Sequence, residues 1–538
     1  MRSWDVTAFR LSLSVALLVG TAISQATTPA ADPHQSPPSL GTKTTETKTI
    51  EIKTTKPASE PGSQELRAAQ SLIKSGKFKE AANSFRAIIA QDNSTRNSAG
   101  NQSRPQAHAG LVRSLLKMDD VPGAEEASVA GMRACPQSAI TRAARADVRF
   151  RNGMIAEAEE LYRSAIKIDA YNSRAWLGLG RVDAMLSRPA KAKEDFARAH
   201  QLDPDDGDAL YYWSLGLPYP ENVRGLEKHQ AEFRDDPERE RHEREYISFL
   251  KALAGRKVWL PAHDVQRAEL NLQPVITRLQ DGPRAYALTV RLNDRALAKV
   301  MLDTGASGLT ISRKMADKAR ATKLSEHSLE GVGSKGASMG YEAWLDKVNI
   351  GDFEFHDCHV HVSPSMNPDY DGLIGTDIFE QYLITIDFPA RKMRLASRQA
   401  QQPAADTGDP LQVYRVGHIL LMPTSVGDTA HGLFALDTGA STNSISPALA
   451  RQVSTVRDSR VPVNGMSGRV QNVYSADQTT LQFGRFRQTH EDIVTFDIHG
   501  LSKDLGVEVS GFIGFATLKK MKLLIDYSSG RVDFEYKP

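Results

Sequence analysis

Cysteine is nearly absent. The 538 residues hold two, Cys135 and Cys358, in regions that read as separate domains. That spacing excludes a disulfide framework. Aromatic residues are sparse at 7%. No basic cluster interleaves with them, which argues against a nucleic-acid surface. Neither sign of charge is in excess, and the net value of +2 implies no strongly charged partner. Long apolar runs are missing from the interior of the chain, so no internal segment reaches the roughly 20 residues of a membrane span.

The one apolar run near the start, Leu11 to Ile23, follows Arg2 and Arg10 and precedes the small-residue stretch Ser24-Gln25-Ala26. That order is a secretory signal, too short for a span. No cysteine follows it to carry a lipid. Residues 1–26 are therefore expected to be a signal peptide and the protein to be exported, periplasmic or extracellular. Residues 27–61 are rich in Thr, Pro, Lys, Ser and Glu and read as a disordered linker.

From 62 to 206 the pattern turns helical with a period of 34. The unit at 173–206 carries Trp176, Leu179, Gly180, Ala192, Phe196, Ala199 and Pro204. The unit at 139–172 carries Ala146, Gly153, Ala158, Tyr162 and Ala165. Leu111, Ala124 and Pro136 mark the unit before it, and Gly76, Ala81 and Phe85 mark the first. Small residues fall where paired helices cross and large ones fill the gaps. This register resembles the tetratricopeptide repeat, which implies an α-solenoid with a concave face for a protein partner. The plainer reading is a spacer or brace for the second half of the chain. Residues 207–258 read as a helical cap and connector. Tyr211-Tyr212-Trp213 would cover the last apolar face, a break falls at Pro237, and the charged stretch Glu227 to Glu245 reads as a solvated helical surface.

The second half says Asp-Thr-Gly-Ala-Ser twice, at 303–307 and 437–441, each time after an apolar run. Downstream come Gly372-Leu373-Ile374-Gly375 and Gly511-Phe512-Ile513-Gly514. Each copy then closes with a strand pair, at 383–395 and 523–534. The chain thus contains a diverged, β-rich internal repeat of about 120 residues. The copies are placed at 279–398 and 411–538. A carboxylate on a tight glycine turn, present twice, suggests two carboxylates facing each other. Such a pair shares one proton, and its ionised member polarises a water that attacks an amide.

The order of motifs resembles the aspartic protease clan, and within it the retropepsin-like branch. The resemblance covers about 280–538. It implies tandem all-β acid-protease lobes with Asp303 and Asp437 as the catalytic dyad, one from each lobe, and no cofactor or metal. Thr304 and Thr438 would bond the opposite turn. Gly305 and Gly439 would let the backbone approach the carboxylates, and Gly375 and Gly514 would let a second segment pack on the turn. Flap candidates are the glycine-rich turns holding Gly331 and Gly333 in one copy and Gly465 and Gly468 in the other. Ala306 and Ala440 follow the retroviral pattern, and neither flap has a pepsin-type Tyr.

The expectation is a multidomain α + β protein: an exported aspartic endopeptidase acting on protein or peptide substrates. The alternative is a catalytically inactive peptide-binding scaffold of the cell envelope. A further rival pairs each lobe with a lobe of another chain. Asp387 and Asp526 read as structural, and Asp377 as the cap of a short helix. His356, Cys358, His359 and His361 have the residue types of a metal site, but alternate along a strand without a counterpart in copy two beyond His490. They are expected to lie on a solvated strand face.

Overall fold

The computed structural model describes residues 64–94, 103–276, 282–399 and 410–537. The expected signal peptide and linker, and the segment 400–409 between the two β-rich copies, lie outside the described residues.

Eight helices form four pairs: α1 (Gln64–Lys74) with α2 (Phe78–Ser94), α3 (Ser103–Lys117) with α4 (Val121–Ala134), α5 (Ala139–Arg151) with α6 (Ile155–Ile168), and α7 (Ser173–Met185) with α8 (Pro189–Leu202), the second helices of the last three pairs starting 34 residues apart. Ser138 and Asn172 start α5 and α7 by accepting the N–H groups of Ile140 and Ala175, which the first helical turn leaves free. The repeat's small and large positions are buried: Ala81, Phe85, Ala124, Ala146, Ala158, Tyr162, Ala192, Phe196 and Ala199. Three connector helices follow, α9 (Gly207–Leu215), α10 (Glu221–Glu232) and α11 (Pro237–Leu253), and the expected break at Pro237 is the first turn of α11.

The inner face of the solenoid is charged and occupied by the chain itself. Arg174 spans Asp147 at 2.8 Å and Asp208 at 2.7 Å, while Lys117 holds Asp235 at 2.6 Å. These groups line a cavity whose other walls are α9 to α11 and residues 503–506 of the second β-rich copy. Beside it, Phe150, Leu179, Val182 and Met185 share one apolar core with Ile419, Leu421, Leu433 and Phe512. The concave face expected to take an extended partner is thus partly covered by the chain's own second copy.

The first lobe runs β1 (Leu260–Pro261), β2 (Arg267–Asn271), β3 (Gln273–Ile276), β4 (Pro283–Leu292), β5 (Ala296–Leu302), β6 (Leu309–Ser312), α12 (Arg313–Ala319), β7 (Thr322–Leu329), β8 (Ser338–Ile350), β9 (Phe353–Ser363), β10 (Gly372–Ile374), β11 (Tyr382–Asp387) and β12 (Lys392–Ser397). Strands before residue 279 are part of it: β1 pairs with β9, β2 with β12 and β3 with β4. The second lobe runs β13 (Leu411–Gln412), β14 (Tyr414–Val416), β15 (Ile419–Val426), β16 (Ala430–Leu436), β17 (Ser444–Ile445), α13 (Pro447–Val453), β18 (Val456–Asp458), β19 (Asn464–Gly465), β20 (Gly468–Arg469), β21 (Val473–Phe483), β22 (Phe486–Phe496), α14 (His499–Leu505), β23 (Gly511–Ile513), α15 (Phe515–Leu518), β24 (Met521–Asp526) and β25 (Arg531–Tyr536).

The two lobes repeat one topology. In the first, β10 lies parallel to β5 and antiparallel to β6, and β6 lies parallel to β9. In the second, β23 takes the same place beside β16 and β17, and β17 beside β22. The closing hairpins then merge. β11 pairs antiparallel with β24, Ile384 opposite Ile525, so a six-stranded sheet runs across both lobes of one chain. Asp387 and Asp526 bind turn N–H groups of Ala390 and Ser528 in this sheet, as strand-end carboxylates do.

Candidate active site

Each Asp-Thr-Gly turn leaves the end of a buried strand, β5 or β16, where a parallel neighbour fixes it. Asp303 N–H donates to Ile374 C=O and Asp437 N–H to Ile513 C=O, both at 3.0 Å. Asp303 and Asp437 meet where the lobes touch, half-buried, with their carboxyl groups hydrogen-bonded to each other. The approach leaves no room for side chains on the turns. A Cβ on Gly439 would stand 2.4 Å from an Asp303 carboxylate oxygen, and one on Gly305 would stand 3.0 Å from the Asp437 carboxyl carbon.

The turns are tied crosswise. Thr304 Oγ1 donates to Leu436 C=O at 2.7 Å and accepts the Thr438 N–H at 3.0 Å. Thr438 Oγ1 donates to Leu302 C=O at 2.9 Å and accepts the Thr304 N–H at 3.0 Å. Both hydroxyls are buried, so the four bonds lie in a medium where each is hard to replace.

The two carboxyls are not equivalent. Burial pushes both above the usual carboxylate range. The negative charge of Asp437 pushes Asp303 further, well above it, against the pull of the Gly305 N–H at 2.8 Å. The rise at Asp437 is held back by the Ala440 N–H at 2.9 Å, by the bond from Asp303, and by the Gly439 N–H at 2.8 Å. Two carboxyls this close and this buried share one proton more readily than they both ionise, and Asp303 is raised the further of the two.

The closing glycines pack onto the turns. Gly375 N–H donates to Gly308 C=O at 2.8 Å, and Gly514 N–H donates to Asn443 Oδ1 at 2.8 Å. Asp377 behaves otherwise than as a helix cap. It lies inside the short 3-10 turn Thr376–Phe379, whose preceding residue Gly375 receives no side-chain bond. Its carboxylate instead accepts from Ser307 Oγ at 2.9 Å and Gly308 N–H at 2.9 Å, gripping the Asp303 loop from 70 residues downstream. In lobe 2 that bracing role passes to Asn443, which also donates to Thr517 Oγ1 at 2.8 Å. His418, on the turn before β15, reaches across the lobes and its Nε2 bonds Gly305 C=O at 2.8 Å. Nothing in its local sequence marks it for this contact.

The two glycine turns expected to be flaps meet each other across the lobes. Gly331 N–H donates to Ser467 Oγ at 3.1 Å, and Ser467 N–H to Val332 C=O at 3.1 Å. Lys335 N–H donates to Ser467 C=O at 2.9 Å. Gly333 lies against Ser467 and Gly468, while Gly465 pairs with Gly468 in the β19–β20 hairpin and touches Val332. The tips cross: Met466 packs with Ala306, Leu373, Met366 and Tyr370 of lobe 1, and Val332 joins the apolar cluster of lobe 2 with Val470 and Val473.

Of the four β9 residues expected on a solvated face, His356 is exposed, while Cys358, His359 and His361 are buried. His359 and His361 are each 1% exposed, facing Glu342 of β8 and His327 of β7. α11 covers them, with the Phe249 ring 4.5 Å from the His359 ring. Alternation along β9 is readable in the sequence; the helix laid over that face is not. Nor is the charged connector purely solvated: Arg241 and His242 bond Glu330, and Glu245 accepts from Ser328 Oγ at 2.6 Å, both at the base of the first flap.

Residues 288–378 match a family model described as aspartyl protease. A TPR repeat-containing protein of Dictyostelium discoideum is 28% identical over 138 residues, covering 24% of this chain. The chain spans 49% of that relative's length. Among solved structures, an aspartic proteinase from Irpex lacteus is similar at 12% identity and TM-score 0.34, over 50% of this chain and 97% of that one. A thermophilic TPR protein from Thermus thermophilus is similar at 18% identity and TM-score 0.26, over 34% of this chain and 95% of that one. The chain thus joins an aspartyl protease domain on its C-terminal side to TPR-like helical repeats on its N-terminal side.

Proposed function

We propose that the protein is an aspartic endopeptidase whose single site is shared by the two lobes. The observation that carries this is the pair of carboxyls meeting across the lobes, each held by turn N–H groups and each raised above the usual carboxylate range by burial; in the proposed reaction Asp303 is the protonated member and Asp437 the ionised one. Asp437 takes a proton from a water between the carboxyls and the substrate. Asp303 hydrogen-bonds the scissile carbonyl oxygen, passes its proton to that oxygen as the water attacks, and takes it back as the C–N bond breaks. The water oxygen attacks the carbonyl carbon, and the proton gained by Asp437 passes to the leaving nitrogen as the C–N bond breaks. No cofactor enters these steps. The crossing flaps open to admit an extended peptide and close to exclude bulk water.

The apolar residues beneath the flap tips favour substrates with apolar side chains on both sides of the cut. Incubating the full chain with a diverse peptide mixture from acid to neutral pH is expected to give internal cuts between such residues. Intact peptides at every pH, or cuts confined to charged residues, would count against the proposal.

Residues 1–26 support an exported enzyme. N-terminal sequencing of the protein recovered from outside the cytoplasm is expected to begin near residue 27; recovery of the intact chain from the cytoplasm alone would refute export. The helical repeats are read as a brace for lobe 2, with their remaining outer faces open to a protein partner.

A further inference from the structure

Three adjacent strands, β7, β8 and β9, bring His327, Glu342, His359 and His361 to one point. All four are buried: His327 is 7% exposed and the others 1% each. Glu342 stands at the centre. Its Oε1 lies 3.3 Å from His327 Nδ1 and 3.2 Å from His361 Nδ1. Its Oε2 is held by His359 Nε2 and lies 3.0 Å from His361 Nδ1, which thus faces both carboxylate oxygens. Two ligands each about 2.1 Å from a tetrahedral ion stand about 3.4 Å apart. Two edges of that tetrahedron are therefore already in place, and the donor atoms of His327, Glu342 and His361 all lie within 4.8 Å of one another.

The barrel itself does not call for these residues. The register places Thr310 of β6 opposite His361, and Ser444 of β17 opposite Val494. Val494 pairs with Ser475, so the second lobe has valine and serine where the first has His361 and Glu342. Asp492 stands in the place of His359 and forms an exposed ion pair with Arg457. The set is particular to the lobe that α11 covers. A purely apolar filling would serve burial under a helix, since each buried polar group carries a desolvation cost.

We propose that His327 Nδ1, His361 Nδ1 and Glu342 Oε1 bind a divalent transition ion of the zinc class. His359 Nε2–H fixes the second carboxylate oxygen so that Glu342 binds through one oxygen, as residues behind metal ligands do. The fourth position faces α11, where a Glu245 oxygen lies 3.7 Å from His327 Nδ1, and it takes that carboxylate or a water. Two imidazoles and a carboxylate are a ligand set that zinc accepts. The ion would tie β7, which runs directly into the first flap, to β8 and β9. It plays no part in peptide hydrolysis, so the proposal stands apart from the endopeptidase reading.

The test uses the full chain, stripped with a chelator, reloaded with Zn2+ and dialysed. Elemental analysis is expected to find about one zinc per chain, and unfolding to move to higher temperature on loading. His327→Ala and His361→Ala are each expected to weaken zinc binding by about tenfold or more, whereas His490→Ala leaves it unchanged. Zinc X-ray absorption on the wild type keeps the question open to refutation should the variants not fold: two imidazoles with oxygen ligands support the site. A wild type that keeps no zinc, a spectrum lacking imidazole, or both ligand variants binding as the wild type does would overturn it.

Discussion

Asp303→Asn and Asp437→Asn are each expected to lower kcat/KM by about 10²- to 10⁴-fold, with cut sites of the residual activity unchanged. Loss of either carboxyl removes a different half of one proton relay. Asn at 303 still offers a hydrogen-bond donor but no transferable proton, and Asn at 437 cannot take a proton from water. The double variant should therefore be little worse than either single one, because both act on the same step. The wild-type pH profile should be bell-shaped. Its acid limb comes from Asp437 gaining a proton, and its alkaline limb from Asp303 losing the one that burial and the neighbouring charge hold there. In Asp437→Asn the charge that raises Asp303 is gone, so carboxyl NMR should find Asp303 titrating at lower pH than in the wild type. Full activity in either single variant, or an Asp303 titration that does not move, would separate the two groups and end the shared-site reading.

Thr438→Val should damage the same site without touching a reacting atom. The substitution keeps the shape but removes a hydroxyl that donates to Leu302 C=O and accepts the Thr304 N–H. Two buried backbone groups lose their partners, at roughly 1–3 kcal/mol each. The turns are then free to shift against each other, and a misplacement of about 1 Å costs on the order of 10²-fold in rate. The expected outcome is a lower unfolding temperature together with a fall in kcat larger than any change in KM. Thr438→Ser restores the hydroxyl and should recover most of both. A Val variant with wild-type kcat would show that the crosswise bonds do not position the dyad.

The parts of this protein legible in its sequence are those in which a pattern repeats close to home. The helix pairs follow from small and large residues spaced at 34. The Asp turns and their closing glycines follow from short motifs present twice, and the flap turns from glycine clusters at the same distance after each Asp. Contacts between distant segments hold the rest, and no local pattern announces them. Asp377 reaches back 70 residues to brace the Asp303 loop, His418 crosses 113 residues to Gly305, and β2 joins a sheet through β12, more than a hundred residues on. His359 and His361 of β9 are buried rather than wet for the same reason. Their alternation says which face they share, and only the packing of α11 says what covers it.

The β11–β24 pairing carries a consequence in time. Asp303 and Asp437 are 134 residues apart in the chain, and β24, the strand that joins their lobes, is made after both. While the chain grows from its N-terminus, the helical repeats and the first lobe can fold with one carboxyl and half a floor. Such a chain holds no shared proton and has no second turn to fix the first. On the proposed function, full cleaving power is expected only once β24 has been made, and a product cut or stopped before it would lack the floor that joins the lobes. On that reading, the order of residues along the chain itself delays the joining of the two carboxyls.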